Sequence, residues 1–196
     1  MKMTQEQATI LTLMSQYGDC VELDYKFDSD NVIRCLEQLN YYPGSGNKLG
    51  VNLTGPLDDL ELDSDNKHVE DQQYNSNLQA CPELVKFFDL WENLARCRAE
   101  QMNEGSFFRM HRDAYGARPQ FRIFIPLNNT QDHEWRFMYE SSELKFKPGV
   151  PYILNTRKSH GSFCMANNTH HVLMSVHITQ KNYRTIARLL PHCEDN

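Results

Sequence analysis

The chain has 196 residues, 40% hydrophobic and 23% charged, with 26 acidic against 20 basic side chains and a formal net charge of −6. That length suits one domain, residues 1–196, with a sizeable core. The acidic balance excludes a general phosphate-backbone binder, which carries a basic stripe, and no run of about 18 apolar residues is present to span a bilayer, so neither a nucleic acid nor a membrane is an expected partner.

The first residues, Met1 to Gln7, are polar and lead into a short apolar stretch, too short for the centre of a signal peptide. A cytoplasmic location is therefore expected. Six cysteines, Cys20, Cys35, Cys81, Cys97, Cys164 and Cys193, are widely scattered and none forms a CxxC pair. In a reducing compartment they read as free thiols, several of them buried, and not as a zinc ribbon.

Residues 4–17 carry apolar positions at Ile10, Leu11, Leu13 and Met14 that suit a short helix. Asp28-Ser29-Asp30 is a helix start signal ahead of Val32, Ile33, Leu36 and Leu39, and this second helix should stop near Asn40, before Pro43-Gly44. Residues 54–79 are polar and acidic, which predicts a long surface loop, either an inert solvated excursion or a cover for a site. Pro82 opens the clearest helical pattern, with Leu84, Val85, Phe87, Phe88, Trp91, Leu94 and Ala95 largely on one face, an apolar stripe that reads as core.

From Phe107 the pattern changes. Residues 121–127, Phe-Arg-Ile-Phe-Ile-Pro-Leu, alternate like a strand ending at Asn128-Asn129. Further strands are predicted over Trp135–Tyr139, Leu144–Lys147, Val150–Leu154 and Val172–Ile178, with a closing helix over Arg184–Leu190. Short strands separated by turn residues predict an antiparallel sandwich or barrel. The expected layout is thus α+β: residues 1–100 mainly helical, residues 103–180 a β-rich core, with helices covering one face of a sheet.

His111-Arg112-Asp113 is an H-x-D. On a strand, residues i and i+2 share a face, so an imidazole and a carboxylate can approach one ion together. Two histidines and one carboxylate on one face of an octahedral ion form the facial triad of non-haem iron(II) oxygenases. The open positions can hold a bidentate cosubstrate and dioxygen, whereas a structural zinc site is closed by four protein ligands. An isolated H-x-D is common on exposed strands; this one follows a turn, Asn103-Glu104-Gly105, and begins the strand-rich half. The third ligand is to be sought among His133, His160, His170, His171 and His177. His133 sits in a polar hairpin and is expected in solvent. His177 lies late in the last long strand and suits a core histidine. His160 follows a turn, a strand and a short connection, a placement that suits a barrel mouth.

Residues 81–178 resemble the aspartyl/asparaginyl β-hydroxylase-type branch of the iron(II)/2-oxoglutarate oxygenases, which includes bacterial proline hydroxylases. The resemblance rests on three ordered pieces: Asn103 to Asp113, a glycine-containing turn leading into H-x-D; Phe121 to Asn129, an arginine-bearing strand; and Lys147-Pro148-Gly149 through Asn155 to His160. The first 80 residues resemble nothing comparable. The resemblance implies a double-stranded β-helix (jelly-roll) core with N-terminal helices packed on one face. It implies iron(II) held by His111, Asp113 and His160, with 2-oxoglutarate as cosubstrate. It further implies hydroxylation of a small-molecule or peptide substrate by dioxygen, coupled to oxidative decarboxylation of 2-oxoglutarate.

One piece of the pattern is missing. The family places an arginine about ten residues after the distal histidine to receive the far carboxylate of 2-oxoglutarate; here the neighbourhood reads Asn167-Asn168-Thr169-His170-His171. Arg122, an arginine the branch also carries, is the expected anchor, with His170 or His171 assisting and Thr169 as a hydroxyl donor. Arg157 and Lys158, with Arg109, Arg112 and Arg118, make either a basic rim for an anionic substrate or a solvated strand end. Two rival readings keep the fold and change the function: a non-catalytic jelly roll that binds a ligand or partner, and a cupin-like metal-binding domain that works without 2-oxoglutarate.

Overall fold

The computed structural model describes residues 18–57, 73–113 and 120–191. The predicted helix at 4–17, and Arg118, lie outside the described residues, as does 58–72 of the expected surface loop.

Two antiparallel sheets face each other. The larger runs, in chain order, through β1 (Cys20–Glu22), β2 (Tyr42–Pro43), β3 (Leu49–Asn52), β4 (Arg98–Met102), β6 (Gln120–Pro126), β9 (Tyr152–Leu154) and β11 (Thr169–His177), and its spatial order is β1-β9-β6-β11-β4-β3-β2. The smaller holds β5 (Phe107–His111), β7 (Trp135–Tyr139), β8 (Ser142–Leu144) and β10 (His160–Cys164), in the order β5-β10-β7-β8. From β4 onward the chain crosses from one sheet to the other and back, so that neighbours in space are distant in sequence. That is the winding of a double-stranded β-helix in an α+β chain.

Alternation along the strands divides the apolar residues into two cores. Phe121, Ile123 and Ile125 of β6, Val172, Met174 and Val176 of β11, and Ile153 of β9 face the helices. Those helices are α1 (Ser29–Leu36), α2 (Ser76–Gln79), α3 (Pro82–Phe88) and α4 (Gln180–Leu189). Phe124, Tyr152 and Leu154, between those positions, face the smaller sheet and pack with Trp135, Phe137, Tyr139 and Phe146. Phe124 lies 5.5 Å from Trp135 and 5.1 Å from Phe146, ring centre to ring centre, which closes the sandwich at one end.

The predicted strands at 121–127, 135–139, 150–154 and 172–178 form at or near those places. The strand expected at 144–147 is shifted to Ser142–Leu144, because Tyr139 pairs with Ser142 across a tight turn in which Glu140 takes a φ of 52°. The helix expected around 32–40 starts one residue after its Asp28 cap, whose carboxylate accepts from Asn31 N at 3.1 Å, and ends at Leu36. The closing helix begins earlier than expected, capped by Thr179.

Two expectations need correction. Residues 1–100 are not mainly helical where described: β1, β2, β3 and part of β4 lie there. The helical stripe of 82–95 stops at Phe88. Trp91, Leu94 and Ala95 are buried as expected, but in a connection where Asn93 takes a φ of 50° and Leu94 bridges Val176 of β11. Within 54–79, Thr54 bridges Tyr74 and Ser76–Gln79 is helical, capped by Asn75.

β5 and β10 meet with one residue extra on β5. His160 opposes His111, yet Ser162 opposes Phe108, so Arg109 and Met110 together face Gly161. A side chain at 161 has no room: a Cβ there would lie 2.8 Å from the Phe108 carbonyl oxygen and 3.0 Å from Met110 N. Gly161→Ala should therefore spread β5 from β10 at a cost of about 1–3 kcal/mol, read as a lower denaturation midpoint with unchanged slope. An unaltered midpoint would mean that the two strands are not in this register.

Candidate metal centre and cavity

The bulge decides where the histidines point. His111 closes β5 and His160 opens β10, side by side at one end of the smaller sheet, with ring centres 4.3 Å apart. Asp113 lies two residues past His111, beyond the strand end, and is tied down by its backbone N–H, which donates to the Thr156 carbonyl at 2.8 Å. One donor atom from each of His111, Asp113 and His160 falls within 4.8 Å of the others. Sequence spacing had placed the first two together; the pairing of β5 with β10 supplies the third.

The imidazoles are oriented for a metal. His111 Nδ1 lies 2.8 Å from the Arg109 carbonyl oxygen, and His160 Nδ1 lies 2.9 Å from that of Lys158. A carbonyl only accepts, so each Nδ1 carries the proton of the neutral ring and each Nε2 offers its lone pair. Such outer hydrogen bonds fix ring orientation and tautomer at metal-bound histidines. Two imidazole nitrogens and one carboxylate oxygen are a donor set for a divalent first-row metal with open positions. The residues thus fit iron(II).

The electrostatics agree. Burial raises the Asp113 carboxyl, but the His111 hydrogen bond and the Arg122 charge outweigh it and hold the group well below the usual carboxylate range. The hydrogen bond to Asp113 raises His111, with His111 Nε2 3.4 Å from Asp113 Oδ1. A cation between these atoms would take the place of the proton they share. Burial lowers His160, which favours the neutral ring that a metal needs.

The trio opens on a cavity of about 570 Å³ between the sheets. Phe107, Phe108, Trp135 and Phe137 give it aromatic walls, and Arg98 and Arg122 of the larger sheet line it together with Arg96, just before β4. Each of these arginines is held through Nε. Arg122 donates to Asp113 Oδ2 at 3.0 Å, Arg96 to Asn52 Oδ1 at 3.2 Å, and Arg98 lies 2.6 Å from Glu100 Oε1. Glu100 is fully buried and gathers two further contacts, Lys48 Nζ at 3.5 Å and His171 Nε2 at 2.9 Å. Lys48 in turn sits 3.3 Å over the Phe108 ring.

Arg122 lines the cavity and also clamps the carboxylate of the candidate trio. If Asp113 is a metal ligand, that clamp orients it, and Arg122→Ala should weaken iron(II) binding by about 10- to 100-fold, measured by anaerobic competition with a chelator. Unchanged iron affinity would show that the Asp113–Arg122 contact is incidental.

The adjacent histidines part company. His171 lines the cavity, while His170 points to the opposite face of β11. There His170 lies among the helices, with its ring 6.5 Å from that of Tyr41 and Nε2 4.0 Å from Glu37 Oε1. Consecutive strand residues must take opposite faces, so the expected assistance of His170 at the cofactor is corrected. Thr169 faces inward, but its hydroxyl meets Asn129 and Cys164. The basic rim is also redrawn. Arg109 and Arg112 line the cavity; Arg157 and Lys158 do not, and Lys158 pairs with Asp19.

Arg96, Arg98, Glu100 and Lys48 were not singled out from the sequence. The i, i+2 spacing of Arg96 and Arg98 was a usable signal, hidden by the helical period running into it from Trp91 to Ala95. Lys48 and Glu100, 52 positions apart, carry no local signal.

No protein-family model and no curated protein matches the chain. Among solved structures, a 2OG-Fe(II) oxygenase family oxidoreductase from Burkholderia pseudomallei is 14% identical, covers 91% of this chain and 93% of its own, and superposes with a TM-score of 0.59. A prolyl-4-hydroxylase from Pseudomonas putida is 11% identical over 88% of this chain and 98% of its own, with a TM-score of 0.51. An RmlC-like cupin from Shewanella frigidimarina is 10% identical over 75% and 90%, with a TM-score of 0.40. At such identities the likeness to the first two is one of fold, the α+β double-stranded β-helix described above.

Proposed function

We propose that the chain is an iron(II)- and 2-oxoglutarate-dependent dioxygenase that hydroxylates an amino acid or a peptide side chain. The observation that carries this reading is the trio of His111, Asp113 and His160 opening on a cavity lined with arginines. His111 and His160 would give Nε2 to the metal and Asp113 one carboxylate oxygen. Bound there, iron(II) and 2-oxoglutarate would activate dioxygen, which is the oxidant, with 2-oxoglutarate giving up two electrons as it becomes succinate and carbon dioxide, and the protein would supply position.

The far carboxylate of 2-oxoglutarate needs a cation that cannot lose its charge, which a guanidinium provides along with a two-pronged hydrogen-bond geometry. Arg122 remains the anchor the resemblance implies, and Arg96 and Arg98 lie on the same cavity. His171 serves this floor indirectly, by holding Glu100, which holds Arg98. Five free thiols, Cys20, Cys35, Cys81, Cys97 and Cys164, fit a reducing, cytoplasmic setting.

The test is a mass-spectrometric screen of amino acids and peptides with iron(II), 2-oxoglutarate and air. One substrate should gain one oxygen atom, with succinate released in equal amount. Succinate release must vanish when His111 is replaced by alanine; release that survives this change would come from a contaminant and defeat the reading. Iron(II) binding with no response to 2-oxoglutarate would favour the cupin-like metal domain instead.

A further inference from the structure

The chain carries a formal charge of −6, yet five of its arginines, Arg96, Arg98, Arg109, Arg112 and Arg122, line one cavity. Asp113 pairs with Arg122, Glu100 with Arg98 and Lys48, and Glu140 lies 3.9 Å from Arg112.

The arginines fall into two groups. Arg96 is 4% exposed, and the side chains of Arg98 and Arg122 are each 13% exposed. Arg98 and Arg122 sit on the larger sheet and Arg96 just before β4, and these hold the far carboxylate of 2-oxoglutarate in the oxygenase reading. Arg109, on β5, and Arg112, just past it, sit on either side of His111, both exposed and both on the cavity. Arg109 forms no ion pair among the described residues, and the Arg112–Glu140 contact is long and solvated, worth little. Two solvent-facing guanidiniums beside His111 and Asp113, on the cavity, attract and orient negative charge.

Resting on the oxygenase reading, we propose that the substrate hydroxylated here is itself an anion: a small molecule whose carboxylate or phosphate is received by Arg109 and Arg112. The volume of about 570 Å³ lies within the range of about 300–1,000 Å³ that holds small-molecule ligands. Aromatic walls at Phe107 and Phe108 would cover the carbon skeleton while the two arginines take the charge.

The experiment is titration calorimetry on the full chain loaded with iron(II) and 2-oxoglutarate under argon. Three matched pairs are the probes: L-leucine with L-leucinamide for an α-carboxylate, L-glutamate with L-glutamine for a side-chain carboxylate, and phosphoserine with serine for a phosphate. In at least one pair the member with the extra acid group should bind about tenfold tighter or more than its partner, and the pair that does so tells which anion is received. Arg109→Gln and Arg112→Gln should each reduce that preference by about threefold or more, as should raised salt. Equal binding within all three pairs, or a preference that survives both substitutions, would overturn the proposal. The visible absorption band of iron(II) with 2-oxoglutarate is recorded on the same samples. A band without acid preference sinks the anionic substrate and leaves the oxygenase. Acid preference without a band sinks the oxygenase and leaves an anion pocket.

Discussion

If His160 is the third ligand of the proposed iron site, His160→Ala should abolish iron(II) binding, with affinity falling by more than about a hundredfold. Loss of a mere outer partner of a metal ligand already costs about 10- to 100-fold. Deleting the ligand itself leaves His111 and Asp113, two donors on a half-open edge, to hold an ion that needs three. No described histidine stands ready to replace it. His171 is on the cavity but engaged with Glu100, and His170 faces the helices. His133, exposed in its hairpin, is the matched control: His133→Ala should leave iron affinity unchanged. Equilibrium competition against a chelator, without oxygen, reads both. Full iron affinity in His160→Ala would mean that the third ligand lies elsewhere and that the meeting of β5 with β10 does not build the site.

Glu100→Ala costs about 3–5 kcal/mol in stability. The residue is fully buried and is the shared anion for Lys48 and Arg98, with His171 completing the set. Burial raises the Glu100 carboxyl, but the charges of Arg98 and Lys48 and the bond from His171 overcome this and hold it well below the usual range. Removing one partner of a buried ion pair is strongly destabilising, and here two cations lose the carboxylate they share. The sign with pH follows from the lowered value. The stabilisation from this carboxylate is complete above its ordinary value of 4.5 and is lost as pH falls below it towards the lowered folded value. Chemical denaturation at neutral pH should show the large loss in the alanine variant. In Glu100→Gln the acid-side decline should be shallower than in the natural chain. A cost below about 1 kcal/mol for alanine would show that the network does not organise the cavity floor.

Much of the sheet was legible because alternation is a local property. Phe121, Ile123 and Ile125 face the helices and Arg122 and Phe124 the cavity, as a period of two dictates. β4 was not legible, for a physical reason. Its inward positions, Arg98 and Glu100, are charged because they serve a polar cavity, so Arg98-Ala99-Glu100-Gln101-Met102 lacks the apolar alternation of a strand and is rich in residues that favour helices.

The metal trio divides in the same way. His111 and Asp113 are visible from spacing, even though Asp113 lies just past the strand and owes its place to the Thr156 carbonyl. His160 depends on the register of β10 against β5, including the bulge opposite Gly161, and register between distant strands is not written in either strand alone. The separation of His170 from His171 follows from alternation, which outweighs counting from the distal histidine.

The most direct measurement is an anaerobic titration of the full chain with iron(II), then 2-oxoglutarate, followed in the visible. Iron(II) alone should leave the spectrum featureless. Adding 2-oxoglutarate should bring up a weak charge-transfer band that saturates at one equivalent of metal and is absent in His160→Ala. Tight iron(II) binding with a spectrum that 2-oxoglutarate leaves unchanged would contradict the assignment of this chain as a 2-oxoglutarate-dependent oxygenase.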